Sequence, residues 1–119
     1  MVLKRQMFSL ILDTTQSTES KVMLVGGDKI LQETAAGSAS AQKVLISLEN
    51  LLKDNGIDPA QVNTISISTG PGSYTGLRVG VAIAQMLGLL LNIPVNDIKP
   101  GDRLKIDYGG TGNKFGISD

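Results

Sequence analysis

The sequence predicts an α/β fold: a mixed five-stranded sheet that opens with a hairpin and carries helices packed on it. Three observations lead there. Short apolar runs bounded by glycine or polar residues fill the first third of the chain, as strands do. Two longer segments, 40–56 and 75–91, have the length and apolar content of helices. Their order is strand, strand, strand, helix, strand, helix, strand, so the later strands join an initial hairpin through helical crossovers.

Each element has a local cause. "MFSLIL" (7–12) is a short apolar run closed by Asp13 and two threonines, and reads as a central strand covered on both faces. "SKVMLV" (20–25) and "KILQET" (29–34) flank "GGD", which predicts a hairpin with a tight glycine turn. "TAAGSAS" (34–40) reads as a small-residue loop. In the segment 40–56, Ala41, Val44, Leu45, Leu48, Leu51 and Leu52 fall at helical spacing on one face. Ser40 is its candidate N-cap, and Gly56 can end it in the left-handed conformation. "DPAQV" (58–62) predicts a single turn capped by Asp58, with Pro59 first inside. "NTISISTG" (63–70) alternates, with Ile65 and Ile67 on one face of a strand. The second helix spans about Thr75 to Leu91, "NIPV" (92–95) leads into a short fifth strand, and "RLKIDY" (103–108) is a further candidate strand.

Composition narrows the function. The 119 residues suit one domain, with no need of disulfide or metal to fold. Net charge is zero and the cations are scattered singly, so autonomous tight binding to nucleic acid is not expected. There is no Cys and no His, which removes the commonest general base and zinc ligand. No metal site and no cofactor is expected from these residues. The N-terminal apolar run ends at Asp13 without a small-residue cleavage site, and Val79–Leu91 falls short of the ~20 residues of a membrane span. The expectation is a soluble, cytoplasmic chain.

The stretch "STGPGSYTGLRVGVAIAQMLGLLL" (68–91) looks like a phosphate loop feeding a helix. Its spacing fails the test. Gly70 and Gly76 are five residues apart rather than four, and Leu77 and Arg78 stand where a Walker loop has Lys and a hydroxyl residue. The helix is more informative. Gly76, Gly80, Ala84 and Gly88 recur every four residues and form one stripe of small side chains along which another backbone can run. Between Pro59 and Asn96 the only charge is Arg78. A helix apolar all round is covered all round. Either the C-terminal segment completes that cover, or the helix is a protein–protein interface.

"GPGSYTGLR" (70–78) before a small-residue apolar helix resembles the signature of the TsaB (YeaZ) family, and "ILDTT" (11–15) resembles its first strand and turn. The resemblance covers about residues 7–95. It implies the actin-like ATPase, ribonuclease H-like fold, with residues 1–95 as its N-terminal half-domain and 96–119 as a segment without a recognised counterpart. It also implies a non-catalytic scaffold role in threonylcarbamoyladenosine modification of transfer RNA. The partners so implied are a TsaD-type catalytic paralogue and a TsaE-type ATPase, with transfer RNA met only through the complex and a homodimer formed by the chain alone. Pairing would use the two helices: Leu45 and Leu48 on the first, and Gly76, Gly80, Val81, Ala84, Leu87 and Gly88 on the second. Asp13, Thr14 and Thr15 stand where related ATPases place a phosphate-contacting turn, without the usual glycine. Family members often carry a His at the start of the first helix, where this chain has Ser40, and they are about twice as long. Two other readings stay open: a small ATPase or phosphotransferase using Asp13 and the 70–76 loop, or a diverged structural homodimer.

Overall fold

The first strand, β1 (Phe8–Gln16), lies inside the sheet because its apolar side chains alternate with a period of two. Phe8, Leu10, Leu12 and Thr14 point to one face and are buried. In the computed structural model, which describes residues 7–16 and 18–107, β1 pairs antiparallel with β2 (Glu19–Gly26). β2 pairs antiparallel in turn with β3 (Lys29–Gly37). The hairpin turns at Gly27 and Asp28, where Gly27 takes a positive φ of 60° that costs glycine little. After a helical crossover, β4 (Val62–Ile67) lies parallel to β1 on its other side. The order is β3-β2-β1-β4, so residues 8–12 sit between two neighbours as expected.

The crossover is α1 (Ala41–Asp54). The Ser40 hydroxyl accepts from the Lys43 amide at 3.2 Å, and Val44, Leu48, Leu51 and Leu52 are buried on the sheet. Gly56 has φ of 64°, and the amides of Gly56 and Ile57 return to the carbonyls of Lys53 and Leu52, closing the helix end. Asp58 and Gln61 cap each other across a short 3₁₀ turn, Pro59–Gln61. The last helix, α2 (Tyr74–Leu91), begins at Ser73, whose hydroxyl accepts from the Gly76 amide. It stops at Asn92 in the left-handed conformation.

Four expectations need correcting. First, β1 is covered by helices on one face only; on the other, Ser9 and Ile11 are half-buried and Asp13 is exposed. Second, Thr34–Gly37 are not loop: they continue β3, pairing with β2 and receiving the Ser20 hydroxyl at the Gly37 carbonyl. Third, the fifth strand shrinks to one bridge between Val95 and Ile65. Asn96 and Asp97 turn the chain through left-handed conformations there, and the Asn96 side-chain amide takes both the N–H and the carbonyl of Ile67, which a longer strand would have used. Fourth, residues 103–107 form no strand, and Tyr108 lies outside the described residues.

The stripe on α2 faces inward. A Cβ built on Gly76 would strike the Thr14 carbonyl, one on Gly80 the Thr14 hydroxyl, and one on Gly88 the Val95 side chain at 2.6 Å. Ala84 and Val81 are buried as well. The small residues therefore let α2 sit close to the chain's own β1, which corrects their reading as a surface for another protein. By length and composition α2 could cross a membrane, but these burials make it a core helix.

Gly80→Ala sets a helix-propensity gain of ~1 kcal/mol against overpacking of ~1–3 kcal/mol. The clash is with buried, short side chains, Thr14 and Ile67, so overpacking wins. We expect a melting temperature lower by roughly 5 °C in thermal unfolding; an unchanged or higher value would show that the stripe is not packed this way.

Candidate functional site

Two regions could carry function. One is the end of β1 with the glycine-rich loop; the other is the cleft between the helices.

At the end of β1, one Asp13 carboxylate oxygen accepts from the Thr15 amide at 3.0 Å and from the Thr15 hydroxyl at 2.6 Å. The Thr15 carbonyl accepts from the Ser73 amide at 2.6 Å. The loop 70–73 is clasped onto this turn: a Cβ on Gly72 would lie 2.6 Å from the Thr15 carbonyl oxygen, and Gly70, at φ of 116°, abuts the Asp107 carbonyl. The Gly70–Pro71 peptide is cis. The amides of Gly76 and Leu77 at the start of α2 are taken by the Ser73 hydroxyl and carbonyl. The glycines thus bring backbone against backbone rather than cradle an anion.

The family resemblance of the sequence implies a nucleotide at this turn. Its residues do not fit one as they stand. Thr15 spends both donors on Asp13, Thr14 is turned into the core, and the exposed group is a carboxylate, which repels phosphate. The described residues hold no cluster of acidic side chains suited to a metal.

The second region is apolar. α1 and α2 rest on the same face of the sheet but diverge, and a cleft of ≈ 440 Å³ opens between them. Leu10 of β1 is its floor. Leu45, Leu48 and Leu52 form one wall, Leu87, Leu90 and Leu91 the other, and Ile57 and Pro59 close an end. On its rim Glu49 and Lys53 form an i,i+4 ion pair at 2.7 Å. Hydrogen bonding to Lys53, with its charge, holds the Glu49 carboxyl below its ordinary pKa, and Glu49 raises that of Lys53. On the α2 wall Leu90 is 72% exposed, more than any other large apolar side chain among the described residues; Leu89, 60% exposed like Ile30, does not line the cleft. Of the eight residues expected at an interface, Leu45 and Leu87 line this cleft half-buried and Leu48 lies deep in it. Gly76, Gly80, Val81, Ala84 and Gly88 are inside the chain. Sequence reasoning passed over Leu90, because every face of α2 is apolar and periodicity could not say which was turned out.

A family model described as TsaD, tRNA N6-adenosine threonylcarbamoyltransferase, matches residues 30–100. The TsaB protein of Haemophilus influenzae, a tRNA threonylcarbamoyladenosine biosynthesis protein, is 34% identical over 86 residues, 72% of this chain and 36% of that one. The chain belongs to the TsaB (YeaZ) family. The Bacillus subtilis TsaB protein is 31% identical over 91 residues, 75% of this chain and 39% of its own. The solved structure of YeaZ from Pseudomonas aeruginosa superposes with a TM-score of 0.68 at 29% identity, covering 75% of this chain and 41% of that one. The fold is thus the actin-like, ribonuclease H-like one of that family. The chain spans less than half the length of these relatives. A tRNA N6-adenosine threonylcarbamoyltransferase from Methanopyrus kandleri also shares 36% identity over 69 residues.

Beneath the turn, the Thr14 hydroxyl is buried with no hydrogen-bond partner among the described residues. An unmet buried hydroxyl costs ~1–3 kcal/mol. Thr14→Val is therefore expected to leave stability unchanged or raise it by about 1 kcal/mol, read from the denaturant midpoint. A loss of more than ~1 kcal/mol would mean that the hydroxyl has a partner of that worth.

Proposed function

We propose that the chain serves threonylcarbamoyladenosine biosynthesis in transfer RNA as a non-catalytic subunit that pairs with a TsaD-type transferase through α1 and α2. The observation that carries this reading is the open apolar cleft between those helices, with Leu90 of its wall exposed. A surface of that kind in water marks an association site. The names of the TsaB relatives supply the process, and the shared match to the transferase family supplies the partner class. The part of the surface in question moves from the glycine stripe to the cleft. In this reading a TsaE-type ATPase joins the pair, transfer RNA is met through the complex, and the chain alone forms a homodimer in the cytoplasm.

Burying one Leu contributes ~1.5–3 kcal/mol, and ~1.4 kcal/mol is tenfold in affinity. Leu90→Glu removes that burial and places a charge at the contact. Binding to a TsaD-type partner should weaken by about tenfold to a hundredfold in titration calorimetry, with little change in melting temperature because Leu90 is exposed. Unchanged binding would contradict pairing through the cleft. The purified chain should also turn over no ATP, since Thr15 gives its amide and hydroxyl to Asp13 and no positioned base is evident among the described residues. Turnover above background that disappears in Asp13→Ala would assign an enzyme instead.

A further inference from the structure

We propose that Asn55–Gly56, at the end of α1, is a site of spontaneous chemical modification that the fold holds shut, and that conversion there loosens α1 from β3. Of the asparagines in the chain, Asn55 alone is followed by glycine. The glycine nitrogen is open to approach, since no Cβ shields it. Once deprotonated, it can attack Cγ of the Asn55 side chain. A bond forms between Gly56 N and Asn55 Cγ, the bond from Cγ to Nδ2 breaks, and ammonia leaves. Water then opens the cyclic imide at either carbonyl and gives aspartate or isoaspartate; in the second, the backbone runs through the side chain. The sum is one water consumed and one ammonia released. Gly56 is exposed and Asn55 half-buried, so solvent reaches the site.

The folded geometry opposes the first step. Ring closure needs the Gly56 nitrogen nearly eclipsed with the Asn55 Cβ. At the observed φ of −105° and ψ of 4°, it is nearly eclipsed with the Asn55 nitrogen instead. Rotating ψ would pull away the Gly56 amide, which donates to the Lys53 carbonyl at 3.1 Å, and the Ile57 amide, which donates to the Leu52 carbonyl at 2.9 Å. The leaving nitrogen is tied as well. Asn55 Nδ2 donates to the Leu51 carbonyl and to Gln32 Oε1 on β3, both at 2.8 Å. The site therefore reacts only in molecules whose helix end has opened. Ends with solvent-exposed backbone bonds open locally more readily than a core does. If one molecule in about ten or fewer is open, the folded chain converts at about a tenth of the unfolded rate or less.

Conversion changes what holds the helix end. A carboxylate has no donor. The Gln32 amide can turn to serve it, but the Leu51 carbonyl loses the Asn55 donor. The new charge also stands beside Asp54 at a helix C-terminus, where negative charge is unfavourable. In isoaspartate, the extra backbone carbon displaces the Gly56 and Ile57 amides from the carbonyls that close α1.

Peptide mass spectrometry follows Asn55 while the chain is incubated in mildly alkaline buffer, folded or in urea above its unfolding midpoint. In urea, Asn55 should convert ahead of the other asparagines. In the folded chain its conversion should be at least about tenfold slower. Gln32→Ala removes one restraint; it should speed conversion in the folded chain several-fold, leave the rate in urea unchanged and shift the urea midpoint little. Asn55→Asp, which carries the product charge, should melt about 5 °C lower than the parent chain. No preferential conversion at Asn55 in urea would overturn the site. Equal rates folded and unfolded would overturn the restraint by the fold. A folded rate that Gln32→Ala leaves unchanged, or raises only as the urea midpoint falls, would overturn its local origin. An unchanged melting temperature for Asn55→Asp would overturn the loosening of α1.

Discussion

The structure depends on one close approach, the backbone of α2 against the backbone of β1. Three glycines on α2 meet Thr14 and Val95 where side chains would collide, and Gly72 does the same at Thr15. Contact at that distance fixes the helix in height and rotation over the sheet. It also commits the small-residue stripe to the interior. The larger apolar side chains must then divide between the flanks and the outside: Leu77, Val81 and Ile83 are buried, while Met86, Leu89 and Leu90 remain exposed.

The same contact explains why the glycine-rich loop resembles an anion site and is built as something else. A loop that must carry the chain from the end of β4 onto the start of α2, directly above Thr14 and Thr15, needs residues without side chains at its crossings. It also needs an amide to meet the Thr15 carbonyl, which Ser73 supplies. Those demands commit the Ser73 amide to the Thr15 carbonyl and the Gly76 amide to the Ser73 hydroxyl. Among the described residues, an open apolar area lies between the helices, where α1 and α2 part over Leu10. The exposed sheet face, with Asp13, Lys21 and Glu33 on it, is far more polar.

Much of the fold was legible because its signals are local. The hairpin followed from a glycine turn between apolar runs. Ser40, Gly56, Asp58 and Pro59 each stand where backbone groups at a helix end need them. What stayed hidden depends on partners distant in sequence. Residues 34–37 have poor strand propensity, yet pair because β2 offers a complete edge. The fifth strand stops at Asn96 because a side-chain amide replaces the ladder, which no period reports. The direction of the small stripe on α2 could not be read, since a helix apolar on all sides has no preferred inner face and small residues suit a sheet as well as a partner. One cue did point inward: the motif's short loop leaves the helix start no distance from the turn after β1.

The most direct test of this account is a double-mutant cycle between Thr14→Ala and Gly80→Ala, followed by chemical unfolding. Thr14→Ala removes the hydroxyl that a Cβ at position 80 would strike. The account predicts that Gly80→Ala destabilises the wild-type chain but is much less costly in the Thr14→Ala background, with a coupling of about 1 kcal/mol or more. Additive effects would contradict it, for then α2 would not rest on β1 at this point.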